Sequence, residues 1–498
     1  MANETNVSDT GFEEKIWAAA DLLRGNLPLA EYRRIILDLV FLKHISDKYD
    51  ERRQFLEDTN DDVDDKDAYL EVNVVLVPPL ARWSLISEAA HTERIGIVID
   101  NAIKAVEQEN EWLKDTLQKN YSRLDLDRRR LGDVVDLFTN IRLAEPGVER
   151  DILGRAYEFF QSRFAELEGK GAGEFYTPPG VIRLMVEILK PLKGRVYDPC
   201  CGSGGMFIQA ADFVKRNSGE VFHLAFYGQE VNRNTRNMAI MNLAIRGIEV
   251  DLGEKAADTF YFDLHQGLKV QYILANPPFN LNWNNRTLDM DPRWKYGLPP
   301  SDCSNFAWVQ HMIHHLAPDG KIGIVLANVA LSSLIGGEGN IRKNIVKADL
   351  VECIIALPIQ MFYTTTIPVS LWFISCNKKQ KNKTLFIDAT EMGTAVKHHL
   401  RELTDAETSK IIATYEEFNA GTLVNANGYC AVATIEEIAN QDYILTPARY
   451  VDIKEQDDDE PFDKKMTRLT RELSEQFQLS RELDDEIQKR LKILGFDV

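Results

Sequence analysis

The 498-residue sequence predicts an α/β fold, a doubly wound sheet preceded by a helical domain and followed by a helical tail. Three observations carry this. In the middle of the chain, short apolar runs alternate with helical segments, the pattern of strands joined by crossover helices. Before residue 150 the apolar residues recur instead at three- and four-residue spacing. Beyond an acidic linker at 456–461 the helical spacing returns in Met466, Leu469, Leu473, Leu483, Ile487 and Leu494, interrupted at Ser480. The expected domains are residues 1–150, 151–454 and 455–498.

In the first domain, Ile16, Trp17, Ala20 and Leu23 share a helical face that ends at Gly25-Asn26. Pro28 precedes a long helix with Ile35, Ile36, Leu39, Val40, Leu42, His44 and Ile45 on its core side. Residues 58–67 are too charged to pack and read as a solvated loop. Val77-Pro78-Pro79 and Arg82-Trp83 read as a connector, with further helices between Ile95 and Phe138. No motif here carries chemistry, which leaves docking or substrate clamping.

A Gly-rich stretch, Gly169-Lys170-Gly171-Ala172-Gly173, leads into Glu174-Phe175-Tyr176-Thr177-Pro178-Pro179. Thr177 is expected to cap the next helix, with Pro178 at its first position and Ile182, Met185, Val186 and Leu189 facing inward. Strands are expected at 195–198, 224–229, 272–275, 321–327, 350–357 and 368–375, and helices starting near Met206, Thr235, Asn305 and Asn340. Such interleaving implies a parallel sheet, whose ligands sit beyond the carboxyl ends of the strands. Two polar junctions fall there: Asp198-Pro199-Cys200-Cys201-Gly202-Ser203-Gly204-Gly205 and Asn276-Pro277-Pro278-Phe279.

Composition narrows the function classes. Hydrophobic content of 44% and charged content of 27% are ordinary for soluble protein. No apolar run is as long as a membrane span, and the first residues lack the pattern of a secretion signal. Six cysteines without metal-type spacing fit a reducing interior, so a cytoplasmic protein is expected. The net charge of −19 opposes unaided binding to nucleic acid. If DNA is the substrate, a partner supplies much of the affinity and the sequence reading; otherwise the charge serves solubility alone.

Gly202, Gly204 and Gly205 permit a tight turn that lets a ligand approach the backbone, with Asp198 at the strand end beside it. The next strand ends in Gln229-Glu230-Val231-Asn232, where a carboxylate can accept from the two hydroxyls of a ribose. No Gly-Lys-Ser/Thr follows and the dinucleotide spacing is missing, which favours a nucleoside cofactor without a pyrophosphate. At the other junction, the Asn276 side-chain oxygen and the Pro277 carbonyl can accept both hydrogens of a planar amine. That favours the pyramidal nitrogen of a transition state over the planar ground state. Phe279 offers a face to a base that has left its stack. Taken alone, the tetrapeptide is also an ordinary strand-ending turn; its place after the Gly loop and Glu230 is what favours the amine site.

These motifs resemble the S-adenosylmethionine-dependent DNA adenine methyltransferases, and most closely the modification (M) subunit of type I restriction-modification systems. The resemblance extends over nearly the whole chain, through Ala20-Asp21-Leu22-Leu23-Arg24-Gly25-Asn26, Ala356-Leu357-Pro358 with Met361-Phe362, and Leu445-Thr446-Pro447-Ala448-Arg449-Tyr450. It implies a Rossmann-like methyltransferase sheet and S-adenosylmethionine as cofactor. Glu174, Phe175, Tyr176, Thr177, Pro178, Pro179, Asp198, Gly202, Ser203, Gly204, Gly205 and Glu230 would line the cofactor, and Asp258 would meet its adenine. Asn276, Pro277, Pro278 and Phe279 would hold a flipped adenine, methylated at N6 to protect host DNA from restriction. Cys200 is a small departure, standing where family members often have another small residue, and leaves the backbone-mediated contacts undisturbed. The resemblance also implies DNA, a specificity (S) subunit, a restriction (R) subunit and a second M subunit as partners, with no membrane. Two alternatives stay open: an amine methyltransferase acting on protein glutamine or RNA, and a catalytically silent scaffold of the same fold.

His311, His314 and His315, and the pair His398-His399, have no identifiable third metal ligand and read as packed or solvated histidines. Ser332-Ser333 and Gly336-Gly337-Glu338-Gly339 form a loop before a helix carrying Arg342, Lys343 and Lys347, which either touches phosphate or is a solvated face. Trp283, Arg286, Arg293, Trp294, Lys295 and Tyr296 suit either a mobile loop over the target base or surface packing. The terminal helix is a clasp or a partner-binding arm.

Overall fold

The computed structural model describes residues 17, 27–123, 125–140, 159, 177–217, 223–283, 290–362, 367–397, 400–451 and 462–493. The Ala20 to Asn26 helix end, residues 174–176, Arg286, His398-His399 and the acidic linker lie outside them.

Four labelled helices build the N-terminal part: α1 (Leu29–Thr59), α2 (Trp83–Glu88), α3 (Ile95–Glu109) and α4 (Arg128–Thr139). The middle of α1 is apolar on nearly every side because it is central: Ile36, Leu37, Leu39, Val40, Phe41 and Leu42 are all fully buried. Asp38, buried among them, is paired with Arg34 at 3.0 Å, as a charge removed from water requires. The stretch expected as a charged loop begins two residues late, since α1 runs on to Thr59, and a short helix (Asp67–Leu70) follows. Trp83, expected in a connector, opens α2 and is buried.

The sheet strands follow the apolar runs: β1 (Gly194–Asp198), β2 (Leu224–Gly228), β3 (Val250–Asp251), β4 (Val270–Ala275), β5 (Leu316–Ala327), β6 (Val351–Ala356), β7 (Val369–Ser375) and β8 (Lys383–Asp388). A separate hairpin, β9 (Thr394–Lys397) with β10 (Leu400–Glu402), precedes the last sheet strand, β11 (Cys430–Thr434). The nine-stranded order is β11-β8-β6-β7-β5-β4-β1-β2-β3. Strands β3, β2, β1, β4 and β5 are mutually parallel. The expected all-parallel arrangement fails at β7, which runs antiparallel to β5 and to β6, and at β11, antiparallel to β8. All seven β7 side chains are buried, and such a run reads the same in either direction.

Helices α5 (Pro179–Leu189), α6 (Gly205–Asn217), α7 (Arg233–Ile245), α8 (Asn305–His315), α9 (Glu338–Lys347), α10 (Asp405–Ala420) and α11 (Ile435–Asn440) cover the sheet. The N-terminal helices dock on α7: Asn237 Nδ2 donates to the Asp115 carbonyl at 2.9 Å, and His44 Nε2 lies 3.0 Å from the Ile245 carbonyl. Contacts divide the chain into Met1–Val451 and Asp452–Val498. The second unit contains α12 (Phe462–Ile493), on which Met466, Leu473, Phe477, Leu483 and Ile487 are exposed. No helix among the described residues is long and apolar enough to cross a membrane.

Candidate active site

β1 pairs with β2 on one side and β4 on the other, so the chain reverses its winding direction between β1 and β4. In doubly wound sheets a crevice opens at that point, beyond the strands' carboxyl ends. Here a cleft of about 320 Å³ occupies it. Its walls include Thr177, Pro179, Asp198, Gly202, Ser203, Gly205, Glu230, Asp258, Asn276 and Pro278. The two junctions singled out in the sequence therefore meet in one cavity. Pro178, Gly204, Pro277 and Phe279 do not line it. Phe279 is half-buried, with its ring edge-on to Phe362 at 6.5 Å between centroids.

Backbone geometry explains the glycines. Gly202 and Gly204 have φ of 54° and 83°, the left-handed region that a side chain disfavours. The turn is tied by Gly204 N donating to the Cys201 carbonyl at 2.8 Å, and by Cys201 N donating to the Gln229 carbonyl at 3.0 Å. Asn242 Nδ2 donates to the Ser203 carbonyl at 2.9 Å, anchoring the loop to α7. Helix α6 starts directly from Gly205.

Two buried carboxylates lie under this loop. Asp198 Oδ1 accepts from Cys200 N at 3.0 Å; burial pushes its pKa up to about 7, with nearby Glu230 adding to the rise. Glu230 Oε2 accepts from Gly202 N at 3.1 Å and Oε1 from Asn232 N at 2.8 Å, while burial raises its pKa. Each Glu230 oxygen retains a lone pair for another donor. Burial also raises the pKa of the Cys200 and Cys201 thiols, which are free, so neither is an activated nucleophile.

At the β4 end, Asn276 Nδ2 donates to Thr177 Oγ1 at 2.9 Å. Asn276 Oδ1 is buried and has no hydrogen-bond partner. Thr177 is not the helix cap expected from the sequence. Pro178 holds the N-cap position and Pro179 the first helical one, with no side-chain cap, which leaves the Thr177 hydroxyl for Asn276. After Phe279, Asn280 adopts φ of 52°. Asn305 holds it there from both ends of its amide: Oδ1 accepts from Asn280 N at 3.0 Å, and Nδ2 donates to Asn280 Oδ1 at 2.8 Å. Nothing local in the sequence signals that clamp, since the residues are 25 apart.

The interleaved basic and aromatic run is not a surface patch. Trp283, Arg293 and Trp294 are buried, and Trp283 lines the cleft with Phe260 and Trp308. Arg293 Nη1 donates to the Thr259 carbonyl at 3.1 Å, its guanidinium also reaches the Phe260 carbonyl at 2.5 Å, and it pairs with Asp291 at 2.6 Å. Arg342 is likewise buried, donating to the Tyr443 and Ser333 carbonyls at 2.8 and 2.7 Å, so it is unavailable to phosphate. Behind the cleft the fold supplies a third ligand-type group to the histidines: Asp263 sits with His311 and His315. These groups already hold protein partners, His315 Nε2 lying 2.9 Å from Asp263 Oδ2, and His311 between Tyr197 and Arg293 at 3.1 Å from each.

Taken together, the switch-point cleft, the Gly loop with its acidic neighbours and the amide acceptor at the end of β4 make up a site suited to bringing a nucleoside-type ligand against an amine. The comparisons with known proteins give the class more sharply. Residues 148–459 match the N-6 DNA Methylase family, and residues 12–138 match the HsdM N-terminal domain. The chain is 43% identical over 444 residues to the type I restriction enzyme HindI methylase subunit of Haemophilus influenzae, covering 84% of this chain and all of that one. It is 36% identical over 515 residues to the MjaIX methylase subunit of Methanocaldococcus jannaschii, covering 97% and 92% of the two chains. A type I restriction-modification methyltransferase subunit from Streptococcus thermophilus superposes with a TM-score of 0.74 at 26% identity, covering 89% of this chain and 100% of that one. The chain belongs to the methylase subunits of type I restriction enzymes and is an adenine-specific DNA methyltransferase.

Proposed function

We propose that this subunit transfers the methyl group of S-adenosylmethionine to the N6 amine of an adenine turned out of the duplex, within a complex whose specificity subunit chooses the site. The observation that carries this reading is the buried, unpartnered Oδ1 of Asn276, whose amide nitrogen is engaged by Thr177. A buried acceptor without a partner is costly, and such an atom in a substrate cleft fits a donor that arrives with the substrate. An amine carries two donors. Asn276 Oδ1 takes one and the Pro277 carbonyl the other, an arrangement that stabilises the pyramidal nitrogen more than the planar one.

The residues present fit the cofactor. Gly202, Ser203, Gly204 and Gly205 form a loop open to close approach, Glu230 keeps acceptor capacity for the ribose, and Asp258 lies across the cleft for the adenine. Pro179 and Asp198 complete this side, with Glu174, Phe175, Tyr176 and Pro178 assigned by resemblance, while Thr177 serves the Asn276 amide. S-adenosylmethionine, when bound, supplies a methyl group activated by its sulfonium. Asn276 and the Pro277-Pro278 turn aim the amine; Phe279, which packs beside the cleft against Phe362, is assigned to the extruded base by resemblance. A strong general base is not required, because the methylated amine is acidic and gives its proton to water. The residue sets on β1, β2 and β4 contribute chiefly alignment.

The overall charge of −19 supports delegating DNA recognition to another chain. The remaining partners in this reading are a restriction subunit and a second copy of this chain, and the product is methylated host DNA protected from cleavage. Transfer of labelled methyl by this chain with its specificity subunit, offered DNA, RNA and protein together, tests the assignment. Label in DNA adenine supports it. Label confined to protein or RNA contradicts it.

A further inference from the structure

The loop leaving β5 ends in a short turn at the same rim of the sheet as Asn276, because β5 runs parallel beside β4. At its tip Leu334 and Ile335 are 72% and 64% exposed, whereas Leu331 and Ser333 at its root are buried. The root is rigidly braced. Arg342 donates to the Ser333 carbonyl at 2.7 Å, and Leu445 N donates to the Leu331 carbonyl at 2.9 Å. Gly336, at φ 57°, lets the turn lie directly against Pro300, where a Cβ would collide. Pro300 in turn holds the cleft wall: its carbonyl accepts from Trp283 Nε1 at 2.8 Å, and Ser301 accepts from Trp283 N at 2.9 Å. Trp283 lines the cleft, as does Leu281, itself 45% exposed. Two neighbouring apolar side chains are thus held in water on a stiff support, and the support is continuous with the mouth of the substrate cavity.

The Asn276 acceptor lies in the wall of a recessed cleft, which a base reaches only by leaving its stack. Drawing an adenine into it leaves a gap in the stack, and proteins that open a stack do so with apolar wedges such as Leu, Ile or Phe. We infer that the Leu334 and Ile335 tip is such a wedge, entering the duplex beside the target adenine and stabilising its extruded state. This rests on the extruded-base reading above. The partner is the DNA duplex itself, and the wedge meets the stacked base faces without needing positive charge.

The test uses the complex of this chain with its specificity subunit and the double variant Leu334→Ala/Ile335→Ala. Two duplexes are compared, one with the target adenine paired to thymine and one with it opposite an abasic position. The variant is expected to methylate the paired duplex at least about tenfold more slowly, and to recover to within about threefold of wild type when no pair has to be broken. Leu334→Met/Ile335→Met, which keeps the apolar bulk, should behave as wild type on both. An equal loss on both duplexes, no loss on either, or failure of the methionine pair along with the alanine pair overturns the wedge. Release of the specificity subunit by the alanine variant on gel filtration also overturns it and makes the tip a protein contact. If 2-aminopurine at the target position does not brighten even with the wild-type complex, the extruded-base reading itself is what fails.

Discussion

Asn276 Nδ2 donates to Thr177 Oγ1 at 2.9 Å across 99 residues of sequence, joining the end of β4 to the residue that precedes α5. The bond leaves Asn276 Oδ1 as the amide's remaining polar atom, buried in the cleft wall. Thr177 thus acts on the amide as well as lining the cavity.

Thr177→Val keeps the shape and removes the acceptor, stranding a buried N–H. A penalty of about 1–3 kcal/mol corresponds to a fall in kcat of roughly five- to 150-fold. Cofactor affinity, measured by calorimetry, should change by less than about threefold, since kcat and not binding is what the amide controls. Thr177→Ser should restore kcat. A parallel fall of kcat and cofactor affinity would instead make Thr177 a cofactor contact.

The Asn305 clamp on Asn280 fixes the exit of the Pro-Pro-Phe turn. Asn305→Ala leaves the N–H of the exposed Asn280 to water and is expected to cost about 0.5–1.5 kcal/mol in urea unfolding. It should also lower methyl transfer more than cofactor binding, because the β4 turn and not the Gly loop loses support. Unchanged transfer with lowered stability would restrict Asn305 to a structural part.

Arg293 ties the Thr259 and Phe260 carbonyls to Asp291 under the cofactor side of the cleft. Removing it as Arg293→Met strands a largely buried carboxylate and two carbonyls, an effect of about 3–5 kcal/mol. Cofactor affinity should weaken as that wall loosens. Arg293→Lys should rescue little, since one ammonium cannot reproduce the guanidinium fork.

Asp198 gives a pH signature. Its folded pKa, raised to about 7 from 3.8 chiefly by burial, means that the folded state holds a proton the unfolded state has lost between those values. Its contribution to stability is therefore fully present below the lower value, declines as pH rises through the window, and is lost above about 7. The slope cannot exceed about 1.4 kcal/mol per pH unit for one group. Asp198→Asn has no such slope, so wild type should lose stability relative to it between pH 5 and pH 8 in urea melts. A gap that stays constant across that range would contradict the assignment.

Much of this was legible in the sequence. The expected strands, and the helices starting near 206, 235, 305 and 340, all form, because burial on both faces and Gly or polar caps are written locally. Three features were not. The direction of β7 is invisible in a run of seven buried residues, although the absence of a helical pattern between β6 and β7 was a usable sign against a parallel crossover. Arg342 read as a phosphate contact or a solvated face, and Arg293 as part of a mobile loop or of surface packing, yet the carbonyls that they serve are brought near only by folding. Thr177 was read as a cap because Thr-Pro suits that position; one residue of offset frees its hydroxyl for Asn276. Cleft residues were legible where each sits at a strand end. Those that orient them were not, since their partners are distant in sequence.

The central claim is that Asn276 handles the acceptor amine and leaves the cofactor to the β1 and β2 side of the cleft. Its most direct test is Asn276→Ala in the complex with the specificity subunit, measuring N6-methyladenine formed per turnover time alongside S-adenosylmethionine affinity. The predicted result is cofactor affinity within about threefold of wild type and methyl transfer reduced by at least about a hundredfold. Methyl transfer that survives the substitution, or falls only in step with cofactor affinity, would contradict it.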